Sequence, residues 1–298
     1  MKISAKYWLL LLLLSLIWGS SFILMKTAMY NDEGASIFSS NQVATLRILI
    51  ASIALLPFGL FAIRKVNFKK DLFSFVIVAL CGNLLPAFLF TYAETGITSG
   101  LAGMLNSTTP IFTIFIALII FNDQISARQF TGAFIGLLGV TALIYFGKQN
   151  SLSGEWSHII SVVCATLCYA ISLSVIRYKL SHYKSLDIAS VAFLLLLIPA
   201  IGLFFLEDTL SVFKNTEDVR NGFGSILILS LIGTALALFI FNTIIKNTSA
   251  LFASSVTYFI PIVAVIIGLF FNERINGPQI GGMLIALMGV FIANSKKH

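Results

Sequence analysis

The run Asn106-Ser107-Thr108-Thr109-Pro110 interrupts an otherwise aliphatic segment with an amide, three hydroxyls and a proline. The proline removes a backbone donor and frees the carbonyl four residues back, that of Asn106. On a helix, Thr98, Ala102, Asn106, Thr109 and Thr113 fall within about 80° of one another. The chemistry on offer is non-covalent binding through amide, hydroxyl and freed carbonyl groups. A kink satisfied by its own hydroxyls would use the same residues, and the sequence leaves both uses open. Ser254, Ser255, Thr257 and Tyr258 before Pro261 repeat the theme.

Two charges also interrupt apolar runs. Arg47 lies roughly mid-segment, where it can meet a carboxylate, pair with freed carbonyls or reach toward an interface. Glu94 shares a helical face with Asn83, Ala87 and Phe90. It is the best candidate for exchanging a proton, the alternative being a solvated loop acid. Trp18 lines up with Ser15, Phe22 and Met25, and Thr234 and Asn242 add further polar groups. The histidines, His158, His182 and His298, lie near segment ends or in tails, away from any acid cluster. An enzyme, a cofactor or a resident metal is therefore not expected.

The elements that must position these groups are hydrocarbon-spanning helices. Of 298 residues, 58% are hydrophobic and 10% charged; soluble domains carry about 25% charged residues. The apolar runs are continuous and about 20 residues long, the length that crosses a ~30 Å hydrocarbon core as a helix. Ten spans are expected: 7–29, 37–62, 72–93, 97–121, 127–147, 156–178, 187–206, 224–245, 249–271 and 277–294. The first is too long for a cleaved signal segment. The fold class is an all-α polytopic membrane protein, and the net charge of +7 belongs to span flanks, not to a nucleic-acid surface. Cys81, Cys164 and Cys168 lie within apolar runs and read as buried small residues.

With the N-terminus in the cytoplasm, most of the 19 Lys and Arg fall on the inside, including Arg64, Lys65, Lys69, Lys70 and Lys179. Both termini are then cytoplasmic. One segment is also written twice. Asn122-Asp123-Gln124-Ile125 returns 150 residues on as Asn272-Glu273-Arg274-Ile275. Gly132, Gly136 and Gly139 return as Gly282, Ala286 and Gly289. Each half, 1–150 and 151–298, holds five spans. An odd number makes the halves enter from opposite sides, an inverted repeat. Asp123 and Glu273 then end spans on opposite faces, and Lys26 and Arg177 read as interface anchors. The small residues allow close helix packing, either between halves or between two copies, so monomer and homodimer both stay open.

These residues resemble the drug/metabolite transporter superfamily, in its ten-span form with two EamA repeats. The matching pieces are Trp18-Gly19-Ser20-Ser21-Phe22 with Lys26, Arg47, and Thr98-Ser99-Gly100-Leu101-Ala102 leading to Pro110. Asn122-Asp123-Gln124-Ile125 completes the first half. In the second half stand Tyr169-Ala170 with Arg177, Thr248-Ser249-Ala250 leading to Pro261, and Asn272-Glu273-Arg274-Ile275. Tyr169 replaces the tryptophan of the first half, and Asp123 stands where glutamate is usual. The resemblance implies a secondary transporter of the cytoplasmic membrane, moving an amino acid or related metabolite outward by alternating access. It places spans one, three, four, six, eight and nine around a central cavity. Trp18, Asn83, Phe90, Asn106, Thr109, Tyr169, Asn242, Thr257 and Tyr258 are then the candidate substrate contacts. Arg47 is a structural or carboxylate-binding charge, and Glu94 a proton-coupling one. The expected partners are a small-molecule substrate, the lipid bilayer and protons. An efflux carrier for organic cations is the runner-up, disfavoured because span one has no carboxylate; a channel is a weaker reading.

Overall fold

The computed structural model describes residues 4–148, 156–215, 219–248 and 250–294. They form α1 (Ala5–Met29), α2 (Ser40–Ala62), α3 (Phe68–Ala79), α4 (Leu85–Glu94), α5 (Ser99–Asn106), α6 (Thr109–Phe121) and α7 (Ala127–Lys148) in the first half of the chain. The second half holds α8 (Trp156–Lys179), α9 (Ser185–Leu206), α10 (Thr209–Asn215), α11 (Val219–Leu227), α12 (Ala237–Asn247), α13 (Ala250–Ser254), α14 (Val256–Phe270) and α15 (Gly277–Asn294). Among the described residues, nine helical stretches are long and apolar enough to cross a membrane, the last being Phe252–Phe270. The tenth expected span is a shorter apolar helix, Gly277–Ala293. Outward faces are rich in large apolar side chains, with Phe61, Phe73, Ile198, Leu206 and Phe270 all exposed, as lipid contact favours.

Several spans are composite. The third joins α3 to α4 through π-helical turns at Leu80–Leu84, and the eighth joins α11 to α12 through Ile228–Leu236. A π turn inserts a residue and strands a carbonyl, which a nearby polar side chain takes up. Asn83 Nδ2 donates to the Val78 carbonyl at 3.2 Å, and Thr234 Oγ1 to that of Leu229 at 3.3 Å. These two polar residues are thus helix-repair groups. The inserted residue also shifts the helical phase, so the face drawn through Asn83 and Glu94 on an ideal helix does not survive.

The fourth and ninth spans break between α5 and α6 and between α13 and α14. Hydroxyls satisfy the freed carbonyls. Ser107 donates to Met104 and Thr109 to Asn106, at 2.6 and 2.9 Å; Ser255 donates to Phe252 and Thr257 to Ser254, at 2.6 and 2.8 Å. The carbonyl of Asn106 is therefore taken by Thr109. Pro110 opens α6, but Pro261 lies inside α14, six residues past the break at Ser255. The proline does not mark that break, contrary to expectation; the hydroxyls do.

Packing interlocks the halves. The first helix of each half lies against the other half: α1 on α14, α11 and α12, and α8 on α4 and α6. Helices α2 and α9 pair, and α7 and α15 pair more extensively than any other two. The second pair meets backbone to backbone. A Cβ added to Gly132 would stand 2.5 Å from the Ala293 nitrogen, and one on Gly289 would stand 2.6 Å from the Gly132 oxygen. The small-residue stripe thus packs half against half. Cys164 is exposed, and Cys81 and Cys168 are half-buried, so the cysteines are not the fully buried residues expected.

Because the obstacle at Gly289 is backbone, a side chain there cannot be accommodated by rotamer change. Gly289→Leu is expected to destabilise the protein by about 3 kcal/mol or more. Gly202→Ala, facing open space, should stay within about 0.5 kcal/mol. Thermal unfolding of the two variants in the same detergent checks this.

Candidate functional site

The doubled Asn-acid motif explains itself locally. Asn122 and Asn272 have φ of 49° and 58°, the left-handed conformation that ends a helix and that asparagine tolerates. The next N–H then closes back, Asp123 onto the Ala117 carbonyl at 3.1 Å and Glu273 onto Gly268 at 2.9 Å. Each acid is thereby folded against its own helix end and aimed at the other half of the chain.

Glu273 meets Lys26 of α1, Nζ to Oε1 3.1 Å. The same carboxylate caps α5: Oε1 accepts the Ser99 N–H at 2.8 Å and Oε2 the Gly100 N–H at 2.9 Å. A carboxylate at a helix start also faces the positive end of the helix dipole. Glu94, at the end of α4, is fully buried beside this pair. Its Oε2 lies 2.7 Å from Ser99 Oγ, and its Oε1 has no hydrogen-bond partner among the described residues. Lys26 is thus engaged between the halves, and Glu94 is not a solvated loop acid. Span position gave their depth; what covers them comes from α5 and from the turn after α14, far away in sequence.

At the far end of α8 the same arrangement recurs in a looser form. Arg177 reaches Asp123 at 3.3 Å with side-chain exposures of 63% and 34%, against 23% and 6% for Lys26 and Glu273. Tyr178 donates to the same carboxylate. A polar cavity of about 450 Å³ opens beside it, lined by Lys70, Asp71, Ser74, Tyr178, Lys179 and His182. It lies between α3 and α8. The corresponding helices of the other pairing, α11 and α1, pack tightly: a Cβ on Gly222 would stand 3.0 Å from the Ala28 oxygen.

Between the two ends lies an aromatic layer. Phe90, 3% exposed, stands between Phe22 at 5.6 Å and Tyr169 at 5.9 Å, centroid to centroid. Trp18 packs on Phe241 at 5.6 Å and donates Nε1–H to the Gly233 carbonyl at 3.1 Å, within the π-helical segment. Trp18, Phe90 and Tyr169 thus come together, with Phe241 added; no spacing rule pointed to Phe241. Arg47 is half-buried and reaches Met25 Sδ at 3.9 Å. It has no carboxylate partner among the described residues. Asn106 is half-buried, and its side-chain amide forms no hydrogen bond among the described residues. Asn242 bonds within its own helix to Leu238 at 2.7 Å. Tyr258 packs instead with Ile111, Val140 and Val290, in a cluster separate from the one holding Trp18 and Tyr169.

A bundle of apolar helices with charged pairs between its halves and an aromatic layer inside defines a multi-pass membrane protein. The comparisons make the assignment specific: the EamA-like transporter family matches twice, over residues 5–145 and 156–295. The chain belongs to that family and is a transmembrane transporter. It is 26% identical over 286 residues to "Uncharacterized transporter YoaV" of Bacillus subtilis (strain 168), covering 93% of each chain. It is 22% identical to "Probable amino-acid metabolite efflux pump" of Escherichia coli (strain K12), covering 97% of this chain and 95% of that one. A solved crystal structure shares the fold at a TM-score of 0.57 and 14% identity, covering 98% of this chain and 97% of that one.

The two ion pairs differ in burial and therefore in strength. A double-mutant cycle on Lys26→Met and Glu273→Gln is expected to give a coupling of about 1–3 kcal/mol. The same cycle on Arg177→Met and Asp123→Asn should give less than about 1 kcal/mol, as for exposed pairs. Unfolding midpoints of the single and double variants supply both numbers.

Proposed function

We propose that this transporter is a secondary carrier that exports a small polar or amphipathic metabolite, an amino acid or a related compound, across the cytoplasmic membrane. Its ten spans form two inverted five-helix halves, 1–150 and 151–298, with both termini cytoplasmic. The observation that carries the reading is the reciprocal pair of ionic contacts. Lys26 of the first half holds Glu273 of the second, and Arg177 of the second half holds Asp123 of the first. One contact is buried and the other is exposed. Alternating access needs such a pair of equivalent gates, open in turn. With the positive-inside orientation, the buried gate faces outward and the exposed one faces the cytoplasm.

The substrate sits against the aromatic layer of Trp18, Phe90 and Tyr169, with Asn106 offering its free amide and Thr109, Asn242 and Thr257 nearby on the same spans. Tyr258 supports the α6–α7–α15 packing. Arg47, lacking a carboxylate partner among the described residues, favours a substrate that brings one. That disfavours an organic cation as cargo and agrees with the name of the Escherichia coli relative.

Counterflow of labelled amino acids in proteoliposomes tests the proposal. Saturable exchange accelerated by unlabelled substrate on the far side is expected; flux that stays linear with concentration overturns the carrier. Asn106→Ala should raise the half-saturating concentration by about fivefold to tenfold, the loss of one hydrogen bond, while leaving the unfolding midpoint near the wild type.

A further inference from the structure

The proposal above assigns no coupling ion, and the buried end of the molecule holds a group that its ionic pair does not need. Lys26 and Glu273 neutralise each other, and Glu273 spends both oxygens on the backbone of α5. Glu94 is the third charge-bearing group at this place. It is 0% exposed; one oxygen lies on Ser99 Oγ and the other has no partner among the described residues. From the remaining elements packed on α4, α8 brings His158, which stacks on Tyr92 at 4.8 Å. Helix α2 brings Arg47, whose guanidinium reaches Met25 Sδ at 3.9 Å.

We infer that Glu94 is a proton-binding site, and that the Lys26–Glu273 gate closes only when Glu94 holds its proton. An ionised carboxylate with an unsatisfied oxygen, away from water, carries a penalty of several kcal/mol. A second carboxylate beside a single ammonium makes it worse. Protonation removes the charge and with it the larger part of both costs: the hydroxyl can donate to Ser99 Oγ, the remaining oxygen is a neutral carbonyl, and Lys26 stays with Glu273. When the gate opens, water reaches the cluster and Glu94 releases its proton to that water as a hydronium ion, leaving a solvated carboxylate. Ionised Glu94 then competes with Glu273 for Lys26, and the α5 cap loses its cationic support. Closing the gate reverses each step and takes up one proton from the compartment the gate faces. The ligand is the proton itself, and the gate state is what it controls.

The inference rests on reading this face as a gate. Its test is chosen to be independent of cargo: hydrogen–deuterium exchange of the backbone amides of residues 97–101, which include the two held by Glu273. Wild-type protein is measured from about pH 5 to about pH 9, with each rate corrected for intrinsic exchange. Stability tied to a protonated group is present at low pH and is lost as pH rises. Protection of these amides should therefore fall by at least about tenfold across the range. In Glu94→Gln, whose neutral side chain imitates the protonated acid, protection should be high and flat. Wild-type protection that does not change with pH overturns the inference, as does a Glu94→Gln variant that keeps the wild-type pH dependence. Should Glu94→Gln fail to fold, the wild-type series together with Ser99→Ala decides. Loss of the Ser99 contact must shift the pH at which protection falls, and an unshifted profile overturns the site. A protein that shows the pH-dependent gate but no counterflow would refute the carrier reading while leaving the proton site standing.

Discussion

Charge in hydrocarbon must be neutralised by protein, and here each half of the chain neutralises the other. Lys26 takes its anion from the second half: Glu273, beyond α14, lies 3.1 Å from its ammonium, while its own half adds the Ile97 carbonyl at 3.5 Å. Asp123 likewise meets its cation on α8. This constraint explains why α1 and α8 are driven into the opposite halves, and why the connection of each acid is so short. The asparagines at left-handed φ make the turn, the following acid is presented at once, and the helix behind it is shared between two halves. Helix α5 depends on the same contact, since its first N–H groups are satisfied by Glu273 rather than by water.

The second constraint is on the backbone, and proline is a smaller part of it than the sequence implied. In the third and eighth spans extra residues are absorbed as π turns, and the stranded carbonyls are met by Asn83 and Thr234. In the fourth and ninth spans the breaks are closed by serine and threonine hydroxyls. Polar residues in lipid-spanning helices therefore divide into those that repair the helix and those left over. Asn83, Thr109, Asn242 and Thr257 make repair bonds. The amide of Asn106 and the guanidinium of Arg47 are left over, as are the buried hydroxyls of Thr45, Ser52 and Ser174; in the proposed carrier the first two go to the ligand.

Legibility in the sequence followed the range of the interaction. The glycine stripe was visible because helix packing repeats every turn, and its partner stripe stood 150 residues away with the same period. The acids and bases at matched span ends were visible too. On each face the repeat puts one cation opposite one anion; Lys26 and Arg177 read from the sequence as interface anchors, and the structure pairs each with the acid of the other half. The burial of Glu94 left no such trace. Nothing near residue 94 tells that Glu273 and α5 close over it, because those neighbours are set by how the halves dock. Phe241 was hidden for the same reason, as one aromatic among 13% of the chain. The phase slip at Leu80–Leu84 also misled, since a wheel drawn at 3.6 residues per turn assumes an unbroken ladder.

The two ion pairs differ in burial although one motif builds both. The Lys26–Glu273 pair is sealed by helix capping, by the close approach of Gly268 to Glu273 (2.5 Å from an added Cβ to Oε2) and by α11 lying on α1. The Arg177–Asp123 pair is more exposed and borders a polar cavity. In the carrier proposed above, the first is the closed gate and the second the open one. The seal has to be weak enough to break, and its construction limits its strength. A bridge whose ammonium remains 23% exposed forfeits part of its Coulombic gain to solvent. A capped helix of eight residues (Ser99–Asn106) has little intrinsic stability of its own. In the proposed carrier, opening costs chiefly the Glu273 contacts and the burial of Glu94, while the backbone-to-backbone contact of α7 with α15 stays intact. On that proposal the moving parts are the short capped segments at the ends of spans, and the glycine-packed pair is the fixed frame they move against.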